Sequence, residues 1–137
     1  VAHELDGRDC WCGRTGCLES FISASGVEAD YFAATETALS IAQIATAAEQ
    51  NDIVAESVLQ ILADRIGRAK AMLINMPDPD IITLAGSIAC LDRLYVNVPR
   101  KWPGYTFSGK TATSLVRASS DIDAILAGAC IYAAAAR

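Results

Sequence analysis

Three thiols in a short glycine-bearing turn are the residues best equipped for chemistry: Cys10, Cys12 and Cys17 in the string CWCGRTGCLE, with His3 a short way upstream. Spaced C-x-C-x4-C, they can converge on one point, because Gly13 and Gly16 permit the positive φ of a tight reversal between Cys12 and Cys17. Three thiolates and one imidazole make a tetrahedral donor set that favours zinc over calcium or magnesium. With no open position the zinc is expected to be structural, holding a loop in place rather than activating water. The competing reading makes these thiols incidental core cysteines, or joins Cys12 to Cys17 in a disulfide, and leaves His3 as a surface residue.

Five cysteines is an odd number, so complete internal pairing is impossible, and Cys10 and Cys12 are too close to bridge comfortably. Reduced thiols on a metal fit that count better. Cys90 and Cys130 stand among apolar neighbours far from the cluster, and each reads as a buried small hydrophobe.

The elements that must position the thiols are set by periodicity and caps. Val1 to Asp9 reads as a loop that opens in mid-domain. Cys17 to Ser23 suits a short helix with Glu19 in its first turn, and Ser25-Gly26 is expected to break it before a second helix from about Val27 to Ala34. Leu39, Ile41, Ile44 and Ala45 predict a third helix, capped by Ser40 or Thr37 and ending near Asn51-Asp52. The clearest element runs from Asp52 to Met76. Its apolar stripe is Val54, Val58, Leu62, Ile66, Ala69, Leu73 and Met76, opposite Glu56, Gln60, Asp64 and Arg68. Pro77 and Pro79 stop it. Ile81 to Leu84 then reads as a buried strand, Ala85-Gly86-Ser87 as a turn, and Asp92 as the N-cap of a helix through Leu94 and Val98. No pattern is strong from Gly104 to Thr113. Ser114 to Ala118 reads as a second strand and Asp121 to Ala136 as an alanine-rich helix. That order is α/β, short of strands for a full sheet.

At 137 residues, 53% hydrophobic and 20% charged, the chain has the balance of one soluble globular domain. A net charge of −5 opposes nonspecific binding to nucleic acid, and Lys and Arg do not cluster. No apolar run approaches the roughly 20 residues of a membrane helix, and the first residues lack the regions of a secretory signal. A cytoplasmic location is the expectation.

The string CWCGRTGCLESFIS resembles the zinc-binding signature of the ROK family (repressors, open reading frames and sugar kinases), whose pattern runs GH, a variable loop and CxCGxxGCLE. The matching positions are Cys10, Cys12, Gly13, Gly16, Cys17, Leu18 and Glu19. Asp78 to Leu84, followed by a small-residue loop and Asp92-Arg93-Leu94-Tyr95, looks like the strand and turn before the nucleotide-contacting loop of fructokinase-like members. The resemblance covers nearly the whole chain and corresponds to the C-terminal half of a family member. It implies the C-terminal lobe of an actin-like ATPase (ribonuclease H-like) fold, helix-rich α/β, with a zinc loop at 3–19, a helical part at 17–76, a strand and helix part at 81–136, and the N-terminal lobe absent.

The activity the resemblance implies for an intact relative is ATP-dependent, fructokinase-like phosphorylation of a hexose with Mg2+. In the family the His both ligates zinc and touches the sugar, and the Glu of GCLE contacts sugar hydroxyls. That gives His3 and Glu19 as substrate contacts. A carboxylate suits the task because it accepts two charge-assisted hydrogen bonds; read without the family, Glu19 is an acid facing the helix dipole. Ala2 replaces the family Gly, and the loop from His3 to Cys10 is shorter than usual. Ala85-Gly86-Ser87 stands where the family has three glycines against the nucleotide, so two side chains are added there; alone, the turn is also a plain strand-to-helix connection. The family's general-base Asp and phosphate loop match nothing in these residues, so the chain by itself is expected to be inactive. Two rivals remain: the sugar-sensing lobe of a ROK repressor, and a truncated noncatalytic or dimerising module. The partners implied are a hexose and ATP, with a homodimer allowed and neither membrane nor nucleic acid expected.

Overall fold

Short polar side chains set where the three longest described helices begin. The computed structural model describes residues 7–118 and 134. Its order is α1 (Glu19–Ile22), α2 (Ala24–Thr35), α3 (Ile41–Glu49), α4 (Ile53–Asn75), β1 (Ile81–Leu84), a 3-10 turn (Ser87–Cys90), α5 (Asp92–Asn97), a second 3-10 segment (Pro99–Gly104) and β2 (Ser114–Arg117). Asp52 caps α4, its Oδ1 accepting from the N–H groups of Val54 (2.8 Å) and Ala55 (3.0 Å). Ser40 caps α3 in a reciprocal box with Gln43. These starts agree with the sequence.

The start of α2 does not. Ser23 is its cap, accepting from the Gly26 N–H at 3.2 Å, so Ser25 and Gly26 lie inside the first turn instead of breaking the chain. Gly26 is there for packing: a Cβ at this position would stand 2.6 Å from the Ser20 carbonyl oxygen. Asp92 also departs from expectation, since it opens α5 without capping it and pairs with Arg117 at 2.5 Å.

α2, α3 and the long α4 pack on one another, and α5 with the second 3-10 segment closes the far side of α4. Val27, Ile44, Leu59, Leu62, Ile66, Leu94, Val98 and Trp102 are fully buried where these elements meet. The predicted stripe holds from Val58 to Ala69 and fails at its end: Leu73 and Met76 are exposed, and Ala71 and Ile74 are buried instead. At about 100° per residue Leu73 and Met76 keep the same angular face as Val58 to Ala69, so it is the buried face that turns near the C-terminal end, toward Ala71 and Ile74.

β1 and β2 pair in parallel, with Ile82 opposite Leu115. The expectation of a buried strand is met on one face only, because Ile82 and Leu84 are buried while Ile81 is exposed. Cys90 is corrected as well. It is exposed, because at three residues per turn its neighbour Ala89 takes the inward position. Cys130, His3 and the helix expected over 121–136 lie outside the described residues. Among the described residues the fold is a helix-rich α/β arrangement with a two-stranded parallel sheet, and no helix is long and apolar enough to cross a membrane.

Candidate functional site

The cysteine loop is closed by its own backbone. Cys10 N–H donates to the Arg14 carbonyl (2.8 Å), Gly13 N–H to Cys10 (2.9 Å) and Gly16 N–H to Arg8 (2.9 Å), and Asp9 bridges Thr15 as in a small hairpin. Gly13 (φ 80°) and Gly16 (φ 67°) occupy the left-handed region that the reversal needs. The loop folds back tightly enough that a Cβ on Gly7 would lie 2.5 Å from the Gly16 Cα.

This places Cys10, Cys12 and the buried Cys17 with their sulfur atoms all within 4.8 Å of one another, Cys12 and Cys17 at 3.5 Å. All three are free thiols. Zinc at about 2.3 Å from each thiolate would space sulfurs roughly 3.8 Å apart, so the three fit one tetrahedral ion with small adjustments. Among the described residues this is the one group of three or more Cys, His, Asp or Glu so disposed. The thiols are unequal. The Arg14 backbone N–H, then the Cys17 and Cys10 thiols, hold Cys12 below the usual thiol value. Cys17 is pushed up to about 11 because it donates to Cys12 and is desolvated.

A clasp that sequence reasoning missed ties the loop to the helices. The Arg8 guanidinium bonds the Gly26 carbonyl oxygen (3.1 Å) and one oxygen of Asp30, while Arg65 of α4 takes the other Asp30 oxygen at 2.5 Å. Both guanidinium carbons lie 4.8 Å from the centroid of the buried Phe21 ring. Arg8, Phe21, Asp30 and Arg65 are far apart in sequence, and no local pattern links them.

Beside the thiols is a cavity of about 230 Å³ lined by Arg8, Asp9, Cys10, Trp11, Glu19 and Ser20, with Ser25, Gly26 and Ala29 from α2. Glu19 and the metal-ligand candidate Cys10 thus line the same cavity. Ala85, Gly86 and Ser87 line no part of this cavity. They are exposed at the C-terminal end of β1, with Gly86 at φ 80° and nothing within 4 Å of where its Cβ would be. Arg117, at the end of β2, braces the 3-10 turn and α5 beyond them: its Nε donates to the Ala89 carbonyl oxygen (2.8 Å), and its guanidinium carbon lies 5.3 Å from the Tyr95 ring centroid.

A model of the ROK family matches residues 1–136. N-acetylgalactosamine kinase AgaK of Shewanella sp. (strain ANA-3) is 31% identical over 110 residues, covering 80% of this chain and 35% of that protein. The ROK hexokinase from Thermus thermophilus superposes with a TM-score of 0.81 at 25% identity, over 94% of this chain and 44% of that one. A ROK family transcriptional regulator, homologous to the E. coli MLC protein, gives a TM-score of 0.71 at 26% identity, over 85% and 33%. The chain spans about a third of the length of the curated relatives it matches.

Proposed function

The chain belongs to the ROK family, and on that premise we propose that it supplies the sugar- and zinc-bearing C-terminal lobe of an ATP-dependent hexose kinase of the actin-like ATPase fold. The observation that carries the reading is the placement of Glu19 and Cys10 on one cavity beside three converging thiols. In this reading Cys10, Cys12 and Cys17 hold a structural zinc with His3 as fourth ligand. The ion supplies a cross-link between the hairpin and the start of α1.

The chain's own residues then do the binding. Glu19, whose carboxylate has no hydrogen-bond partner among the described residues, accepts from two sugar hydroxyls, and His3 touches the same sugar. The Ala85-Gly86-Ser87 turn receives the nucleotide at the C-terminal ends of parallel strands, where ligands of such sheets bind. Gly86 leaves open space above its backbone, while Ala85 and Ser87 narrow the approach on either side. With ATP and Mg2+ bound, the sugar oxygen displaces ADP from the γ-phosphorus; the general base and phosphate loop for that step come from the other lobe. A cytoplasmic setting and a homodimer belong to the same reading.

Fructokinase-like specificity is the narrower form. The curated relative acts by name on an N-acetylated hexosamine, so fructose, glucose and N-acetylhexosamines belong in one assay panel. The rival, a repressor's sugar-sensing lobe, draws support from the regulator structure and from the single glycine in the turn.

Two measurements test the proposal. Elemental analysis of the dialysed chain is expected to give about one zinc, lost in Cys17→Ala and reduced less in His3→Ala; a metal-free, fully folded chain would overturn the zinc site. Fused to the N-terminal half of a close relative, the chain is expected to phosphorylate hexose, while the 137-residue chain alone turns over no ATP. Glu19→Gln in the fusion is expected to weaken sugar use about tenfold. An unchanged Glu19→Gln enzyme removes Glu19 from the sugar site.

A further inference from the structure

One wall of the thiol cavity is used by neither the zinc nor the Glu19 contact. Trp11 sits between Cys10 and Cys12 and is 89% exposed. An indole left in water adds nothing to the core, yet a tryptophan offers roughly 150–250 Å² of rigid, largely apolar surface. Its backbone is fixed on both sides, because its two neighbours are the thiols that converge with Cys17.

The polar groups around it define what would lie against that surface. Asp9 and Glu19 have no side-chain partner among the described residues, and both line the cavity. Ser20 Oγ donates to the Cys17 carbonyl oxygen at 2.7 Å, which leaves its lone pairs to accept. Arg8 supplies no free cation, being committed to Asp30, the Gly26 carbonyl oxygen and the face of Phe21. Two unpaired carboxylates beside a committed guanidinium make an acceptor-rich site that welcomes hydroxyl donors and repels anions. At about 230 Å³ the cavity is below the ~300–1,000 Å³ range of drug-sized pockets and suits a single ring.

We propose that Trp11 is a specificity-determining residue that lays its indole against the C–H face of a neutral, polyhydroxylated ring while Asp9 and Glu19 accept hydrogen bonds from hydroxyls on its edge. This rests on the sugar-site reading above and adds to it the apolar half of recognition. A carboxylate alone binds any vicinal diol; a flat wall requires that the ring also present an axial C–H face. Each C–H contact to a ring is weak, but one indole spans several of them at once. The same site discriminates against a phosphorylated ring, because the anion meets Asp9 and Glu19 with no free cation to offset them.

The test uses the zinc-loaded chain titrated with glucose, fructose, N-acetylglucosamine, N-acetylgalactosamine and glucose 6-phosphate, by calorimetry and tryptophan emission. Trp102 is 1% exposed, so the red edge of the emission belongs to Trp11. Bound sugar is expected to quench and blue-shift that edge. Trp11→Ala is expected to weaken binding at least tenfold with zinc content and helical circular dichroism unchanged, Trp11→Phe to recover most of the loss, and glucose 6-phosphate to bind less well than glucose. Wild-type affinity in Trp11→Ala, with affinity lost in Glu19→Gln, overturns the role of Trp11 and leaves the sugar site standing. Sugar binding indifferent to both substitutions overturns the site and the proposal together, as does a zinc-loaded chain that binds no sugar.

Discussion

The cysteine loop and the helical body are held by different physics. The body, α2 to α4, buries Val27, Ile44, Leu59, Leu62 and Ile66 almost completely, so its order rests on apolar area spread over many side chains. In the loop, Trp11 is in water, and the order rests on a few point contacts: the Cys12–Cys17 thiol contact, a hairpin of backbone hydrogen bonds, and the Arg8–Asp30–Arg65 clasp around Phe21. Loss of one core side chain lowers the stability of the whole body. Loss of one point contact acts on the loop itself, because the groups it leaves behind are half-buried and polar or charged. Loss of a contact of the second kind is expected to loosen the loop without unfolding the helical body.

The contrast predicts a graded set of outcomes. Leu62→Ala, in the fully buried stripe of α4, is expected to cost about 3 kcal/mol of global stability in urea unfolding, with zinc content unchanged; loss of zinc in step with stability would erase the distinction. Asp30→Ala frees two guanidinium groups at once and is expected to cost about 2 kcal/mol, less than a fully buried pair because the groups keep some contact with water. Its larger effect should be local, with trypsin cutting after Arg8 and Arg14 well before it reaches α4. Simultaneous cleavage of loop and helix would show that the two regions unfold as one.

The smallest effect is the pH dependence of the body. The Ala55 N–H and then the Tyr31 hydroxyl (2.8 Å) hold Asp52 below its ordinary 3.8, and Arg93 holds Glu56 below 4.5. Both folded values are depressed, so the stability they contribute is complete above the ordinary carboxylate values. It is expected to fall as pH drops below about 4.5 and on through the two folded values. Asp52→Asn should flatten part of that decline in acid melts; an unchanged profile would mean that Asp52 titrates alike in the folded and unfolded chains.

Legibility in the sequence obeys the same division. Asp52 before an apolar repeat, Ser40 three residues before Gln43, and Pro77 after Met76 are local signals, and each marks an element end that the structure keeps to within a residue or two. The thiol cluster was readable because its three members fall within eight positions. The clasp was not, since Asp30 meets Arg65 across 35 residues and the partners share no period. Gly26 misled for a related reason: its use is the Ser20 carbonyl oxygen it lies against, a tertiary contact that imitates a helix breaker in the sequence. Cys90 was misplaced by its apolar neighbours, because a 3-10 turn distributes burial at intervals of three and put Ala89 inward.

The long helix has a geometric consequence. Its 23 residues make a rod of about 34 Å. Midway along it Arg65 grips the clasp on the cysteine loop, and its C-terminal end passes through Pro77 and Pro79 into β1 and the Gly86 turn. One unbroken helix thus spans the distance from the clasp on the cysteine loop to the approach to the Gly86 turn, so the spacing between those two regions is set by the length of a single rod.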